Sequence, residues 1–303
     1  MELNKIKNII IHIGYPKTGT TWFKKYFYSN IENATTLYID DFTYNISENK
    51  SHFELNNNLP ELKENLIIVS HKFTGLENFK WDDGIYRTFF ISNLKRLFPN
   101  ALIVLFIRNQ IDFIASSYSS YLTHGGTYTF QKLFKTGKLG DGKMFSFEFL
   151  NYHTLIKLYK EQFGENNVHI FLYEEFLENN KIFLNNYSKT FNLDIDINSI
   201  NFIKYNEKLR KHLASFIRFS NFFSKKGVQP KKYIINTPWL FSWLNLKSTK
   251  KINKNKILGK SLNNNDILGN ELTNYINNYY KPSNNMLINE MGLNQIRKYN
   301  YPL

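Results

Sequence analysis

Short apolar runs separated by breaks mark the first two thirds of the chain. Residues 9–13 read Ile-Ile-Ile-His-Ile and stop at Gly14. A brief β-branched run closed by glycine predicts a strand buried on both faces. Residues 66–69, 102–107 and 168–172 repeat the pattern and predict three more strands. Between them the apolar period lengthens to that of helices. Residues 20–28 place aromatics at helical spacing. Residues 85–98 set Phe89, Phe90, Leu94 and Leu97 on one side before Pro99-Asn100 breaks the run. Helices are likewise predicted over 112–122, over 148–163 up to Gly164, and over 174–191. Strands alternating with helices predict an α/β fold: a three-layer sandwich with a central parallel sheet flanked by helices. Ligands of such sheets sit at the carboxyl ends of the strands. Beyond residue 195 the alternation stops. Helices are predicted over 207–223 and 268–280, and the Asn- and Lys-rich stretch 247–265 reads as a mobile loop. No repeat or domain boundary shows, so residues 1–303 read as one elaborated domain.

Composition narrows the chemistry. The 303 residues are 42% apolar and 17% aromatic, which excludes a disordered or collagen-like chain. There is no cysteine, which excludes disulfides, thiolate metal sites and a cysteine nucleophile. A net charge of +14 admits anionic ligands, nucleic acid or acidic membranes as partners, although AT-rich codon usage also enriches Lys, Asn and Ile. The longest apolar run, 101–107, is far short of the ~20 residues of a spanning helix. Residues 1–8 are polar, without a signal-type stretch. A soluble, cytoplasmic protein is expected. The basic residues are scattered and carry no signature of a nucleic-acid-binding module.

The densest chemistry lies in Gly14-Tyr-Pro-Lys17-Thr18-Gly19-Thr20-Thr21-Trp22, between the first strand and the first helix. Free amides and the dipole at a helix start attract phosphate. Gly19 permits close backbone approach, Thr18, Thr20 and Thr21 offer hydroxyls, and Lys17 offers a point charge. Gly14 and Gly19 have the spacing of the nucleoside-triphosphate loop G-x-x-x-x-G-K-[ST], but Thr20 stands where that loop has lysine. A P-loop nucleotide kinase or phosphotransferase, dependent on ATP and magnesium, is therefore the rival reading. At the end of the third strand, Arg108 offers a guanidinium fork suited to phosphate, or a salt bridge to Asp112. Ser116, two helical turns on, is either a ligand or a small residue at a helix contact. After the second strand, the imidazole of His71 can take a proton at physiological pH.

The string Pro-Lys-Thr-Gly-Thr-Thr-Trp resembles the 5′-phosphosulfate loop of the sulfotransferases, which use 3′-phosphoadenosine 5′-phosphosulfate (PAPS) and release 3′-phosphoadenosine 5′-phosphate (PAP). The resemblance implies that Lys17 contacts the bridging oxygen of the phosphosulfate. It implies that Thr18, Gly19, Thr20 and Thr21 cradle the 5′-phosphate, and that Trp22 stacks near adenine. Arg108, with Asp112 four residues on and Ser116 eight on, resembles the family's 3′-phosphate site. Gln110 replaces a proline common in relatives. The family places a catalytic base just after the second strand. Counting back from Gly75 gives His71, and counting forward from Ser70 gives Lys72. His71 is preferred because a lysine needs heavy desolvation to act as a base. Tyr173, in Tyr-Glu-Glu-Phe after the fourth strand, resembles a tyrosine that lines the nucleotide site. No residue matches the family's C-terminal Arg-Lys-Gly; Lys225-Lys226-Gly227 and residues 256–260 come nearest.

The resemblance implies one sulfotransferase domain over 1–303, with 195–265 as a variable acceptor-side or lid region. It implies in-line sulfuryl transfer from PAPS to a hydroxyl, with no metal required. No H-E-x-x-H or calcium loop occurs, and the carboxylate pairs Asp40-Asp41 and Asp82-Asp83 read as solvated loop acids. The acceptor is expected from the Tyr, Phe, Trp and Asn content of 35–60, 125–143 and 195–265. Those residues suit a carbohydrate or glycoconjugate, with a lipid or a phenol as the alternative.

Overall fold

The computed structural model describes residues 6–45, 52–75, 84–136, 146–202, 208–228, 231–241 and 246–303. Asp82 and Asp83 lie outside the described residues. The chain forms two compact units. One comprises residues 1–108, 147–203 and 286–299, and the other 109–146, 204–285 and 300–303.

The first unit holds a parallel sheet of five strands: β1 (Asn8–Gly14), β2 (Ala34–Tyr38), β5 (Asn65–Val69), β6 (Leu102–Ile107) and β7 (Val168–Leu172). A separate antiparallel pair, β3 (Phe42–Asn45) and β4 (His52–Leu55), lies between β2 and β5 in sequence. The sheet order is β2-β5-β1-β6-β7. Four of these strands are the four read from the apolar runs. The fifth, β2, is Ala-Thr-Thr-Leu-Tyr; two threonines disguise an edge strand that pairs with β5 along its length. The helices are α1 (residues 20–30, an α turn running into π and 3-10 turns), α2 (Arg87–Leu97), α5 (Tyr152–Phe163), α6 (Tyr173–Glu178) and α7 (Asn180–Phe191). The run expected as one helix over 174–191 is two, because Asn179 leaves helical geometry and its side chain caps α7 through the Ile182 amide. Around the sheet lies a cluster of rings in which Phe23, Phe106, Phe171, Phe183 and Tyr187 touch one another stacked or tilted. Such contacts hold more firmly than area alone predicts.

The second unit is helical: α3 (Gln110–Thr123), α4 (Phe130–Thr136), α8 (Lys211–Ser220), α9 (Leu246–Ile252) and residues 264–285 of α10 (Asn264–Asn289). The Asn109 side chain caps α3 by accepting from the Ile111 amide at 2.9 Å. Its Nδ2 donates to the Asn300 carbonyl at 2.6 Å. Gln110 exchanges two hydrogen bonds with buried Asn284. The stretch 247–265, expected as a loop, contains most of α9 and a 3-10 turn, Lys256–Leu258. Among the described residues, no helix is long and apolar enough to cross a membrane. Nor does any group of three or more His, Asp or Glu among them have metal-holding geometry.

Candidate active site

The carboxyl ends of four neighbouring strands carry the residues singled out by sequence. Register makes them adjacent: His12 of β1 pairs with Val69 of β5, Gly14 with Phe106 of β6, and Ile107 of β6 with Leu172 of β7. Across the rim, in sheet order, the chain therefore delivers His71 after β5, Lys17 after β1, Arg108 after β6 and Tyr173 after β7.

The loop after β1 is wound tightly. Lys17 has φ of 70°, the left-handed region that side chains avoid, and Gly19 follows at 82°. Arg108 Nη1 donates to the Lys17 carbonyl at 3.0 Å and steadies that strained turn. The same guanidinium lies over the Tyr173 ring, 5.2 Å from its centre. A side chain at residue 19 would put its Cβ 2.8 Å from Tyr173 Cε2, so glycine is required twice over, by backbone and by neighbour. Thr18 is buried and its hydroxyl donates to the Tyr15 carbonyl at 2.5 Å, so it shapes the loop. Thr21 is exposed. Thr20 is buried, and its Oγ1 has no hydrogen-bond partner among the described residues.

Burial first, and the charge of Arg108 second, lower the Lys17 pKa to about 8. Two cations held together and largely removed from water are a setting able to hold an anion. Among the described residues neither makes an ion pair with a carboxylate. Arg108 is also fixed from behind, where its carbonyl accepts from Tyr152 Oη at 2.5 Å.

His71 opens a 3-10 turn whose cap is Ser70; the Ser70 hydroxyl accepts from the Lys72 amide at 3.1 Å. Burial, then the charges of Lys24, Lys72 and Lys17, lower the His71 pKa to about 4. The imidazole is therefore neutral at physiological pH and able to accept a proton. Lys72 points elsewhere, with its ammonium bonded to the Tyr44 hydroxyl and 5.1 Å from the centre of that ring. The turn is tied to the loop after β1 by Arg87, a buried arginine. It donates to the Thr74 carbonyl at 3.2 Å, the Phe149 carbonyl at 2.7 Å and the Tyr15 hydroxyl at 3.3 Å.

Trp22 is nearly enclosed. Phe202 stacks on it at 5.9 Å and 18°, and Phe176 packs at 4.9 Å. Ser116 lies on α3, in the second unit. It is half-buried, and it makes no hydrogen bond among the described residues, whereas Ser117 and Ser119 bond back to Phe113 and Ala115. Asp112, the alternative partner considered for Arg108, accepts from Asn264 and pairs with Lys208.

Sequence reasoning passed over two residues. His12, which the sequence reading gave no role, is fully buried beneath the loop. A Cβ on Gly14 would lie 2.4 Å from Thr20 Oγ1 and 2.7 Å from His12 Nε2, and neither atom has a hydrogen-bond partner among the described residues. The other nitrogen, Nδ1, meets Tyr28 Oη at 2.5 Å, and Tyr28 meets Tyr187 Oη at 2.8 Å. Either tyrosine hydroxyl can be the donor between the two; in one order the Tyr187 hydroxyl donates to Tyr28 and Tyr28 donates to Nδ1. That order puts the imidazole proton on Nε2, facing the loop. Burial and Lys24 lower the His12 pKa to about 3 and keep it neutral. The second residue is Lys24 itself. It is 4.5 Å from the centre of the Tyr38 ring, and its charge reaches both histidines. Neither residue sits in a motif; only the register of β1 and the turn of α1 bring them to the rim.

Residues 7–232 match the family model described as the sulfotransferase domain. The chain belongs to the sulfotransferase family. It is a PAPS-dependent transferase of sulfuryl groups to hydroxyls. Among solved structures, a sulfotransferase from Alicyclobacillus acidocaldarius aligns at 13% identity and a TM-score of 0.47, over 71% of this chain and 94% of that one. Mouse sulfotransferase SULT7A1 complexed with PAP aligns at 15% identity and 0.46, over 91% and 84%. No curated protein matches the chain.

Proposed function

We propose that the rim of the first unit binds PAPS and that His71 is the general base for transfer to a carbohydrate or glycoconjugate hydroxyl. The observation that carries this reading is the order of strand ends: base, phosphosulfate loop, arginine and tyrosine wall fall on consecutive strands of one sheet. The fit is supported by what the loop lacks. Thr20 Oγ1 and His12 Nε2 are buried polar atoms without partners among the described residues, and a bound phosphate supplies an acceptor for a hydroxyl beside them. PAPS supplies an activated sulfuryl group, whose bond to the phosphate oxygen breaks as the bond to the acceptor oxygen forms.

The residues divide the work. Lys17 and the amides of Gly19, Thr20 and Thr21 offset charge growing on the phosphate oxygen as sulfur leaves it. Thr20 donates its hydroxyl to the 5′-phosphate. Arg108 holds the 3′-phosphate. Tyr173 backs Arg108 and walls the nucleotide. Trp22 offers its ring to adenine, which requires Phe202 to shift or to form the other side of the slot. His71 takes the acceptor proton. At a pKa of about 4 it is a weak base in the free protein, yet the charges that depress it include Lys17 and Lys24. An anion bound beside those lysines offsets their charge and raises the His71 pKa, so donor binding strengthens the base. The carbohydrate assignment rests on the aromatic and amide side chains of the acceptor-side segments. A cytoplasmic setting accords with the reading.

Thermal denaturation with added nucleotide tests the donor assignment. PAP should raise the melting temperature without magnesium, and ATP should do little. Dependence on magnesium and a response to ATP alone would favour a kinase. Radiolabelled PAPS with a panel of glycans, lipids and phenols then identifies the acceptor; labelling confined to phenols or lipids would overturn the carbohydrate assignment.

A further inference from the structure

The net charge of +14 has a single address. Residues 208–265 contain 14 Lys and Arg and no Asp or Glu, which leaves 25 basic residues against 25 acidic ones everywhere else. Codon bias acts on the whole chain and does not strip one segment of acids. The same stretch carries exposed apolar side chains that form one surface in the second unit. Phe219 packs on Phe223 with ring centres 5.3 Å apart. The Ile234 amide donates to the Phe222 carbonyl at 2.8 Å, and the Thr237 amide to the Phe223 carbonyl at 3.0 Å. Phe219, Ile234, Ile235 and Trp239 are 58%, 71%, 55% and 72% exposed. Lysines stand within this surface. The Lys225 amide donates to Asn236 Oδ1, and Lys231 Nζ donates to the Lys226 carbonyl. Lys225, Lys226 and Lys232 are exposed.

An exposed apolar patch of this kind marks a contact surface, and its charge fixes the sign of the partner. A nucleic acid or acidic glycan matches the lysines and the flat rings. It offers nothing to the side chains of Ile234 and Ile235. A bilayer surface with anionic headgroups matches both, because lysines bind the headgroups while aliphatic and indole side chains enter the headgroup–acyl boundary. We propose that this face docks the protein on an anionic lipid bilayer, with Ile234, Ile235, Phe219 and Trp239 entering the interface and the surrounding lysines holding the headgroups.

Vesicle flotation of the full chain tests the proposal. Vesicles of phosphatidylcholine alone are compared with a phosphatidylcholine–phosphatidylglycerol mixture, at low salt and at ~0.5 M salt, where charge attraction is screened to a few ångströms. Anionic vesicles should bind at least about tenfold more tightly than neutral ones. The double substitution Ile234→Ser/Ile235→Ser should weaken that binding about tenfold while melting temperature and PAP affinity stay at wild-type values. Equal binding to both vesicle types would overturn the proposal. So would unchanged binding of the double variant, or retention of the protein on heparin or RNA with none on vesicles.

Discussion

Two regions of this protein concentrate positive charge, and they do so in opposite ways. At the rim of the sheet, Lys17 and Arg108 are few, close and partly buried, and Lys17 is depressed to a pKa of about 8. In residues 208–265 the charges are many and mostly on exposed side chains. A buried charge acts at short range in a low dielectric, where each group counts and salt screens little. An exposed charge acts through its number and is screened readily. The rim should therefore be sensitive to single substitutions and insensitive to salt, and the basic segment the reverse.

Substitutions at four residues probe the rim half of that contrast. His71→Ala should have the largest effect, lowering turnover by about 10²–10⁴, the contribution of a positioned general base. Turnover left unchanged would move the base to another group. The pH profile sharpens this test. In the free protein the acid limb of kcat/KM should lie near the His71 pKa of about 4, below the ordinary 6.5. The limb of kcat should lie higher, because bound donor offsets the nearby lysines.

Lys17→Ala should cut turnover by at least ~10²-fold, as loss of one charge-stabilising donor does. Lys17 is a base whose pKa is lowered, so the free protein loses its charge as pH rises through about 8. PAP affinity and kcat/KM should fall above that pH. Lys17→Arg should abolish the fall, since arginine keeps its proton. A flat profile in wild type would contradict the Lys17 assignment.

Arg108→Ala should raise the donor KM by about tenfold or more, as loss of a charge-assisted pair does. The bond from Arg108 to the strained Lys17 carbonyl adds a second expectation, that turnover also falls. A change in KM alone would show that the loop keeps its shape unaided. Tyr28→Phe should have the smallest effect, weakening PAP binding several-fold by removing the donor that fixes the His12 tautomer. Imidazole nitrogen-15 shifts read that tautomer directly. A proton on Nδ1 in wild type would contradict the proposed order of donors.

Legibility from sequence followed the same division. The rim could be read because its chemistry is local: a strand, a glycine turn and a helix start lie within residues 9–22, and Arg108 directly follows a fully apolar run. β2 was missed because its threonines break the apolar pattern of an edge strand, and α9 because five of its seven residues are Lys, Ser or Thr. His12 and Lys24 were invisible for a different reason. Their positions look like any strand or helix residue, and their roles depend on the pairing of β1 with β5 and on the turn of α1, which no short motif encodes. Trp22 was read as a ring that stacks near adenine; its packing under Phe202 and beside Phe176 was not read. The net charge was read only as a total for the whole chain, not as a property of residues 208–265, and the apolar surface beside it emerged only when residues 219–223 and 233–237 came together.

A crystal structure with PAP bound in magnesium-free buffer tests the central claim most directly. The account predicts the 5′-phosphate on the amides of Gly19, Thr20 and Thr21 with Lys17 beside it, the 3′-phosphate on Arg108, and His71 facing the vacant sulfuryl position. A nucleotide bound elsewhere, or a rim that accepts only a magnesium-bound triphosphate, would contradict it.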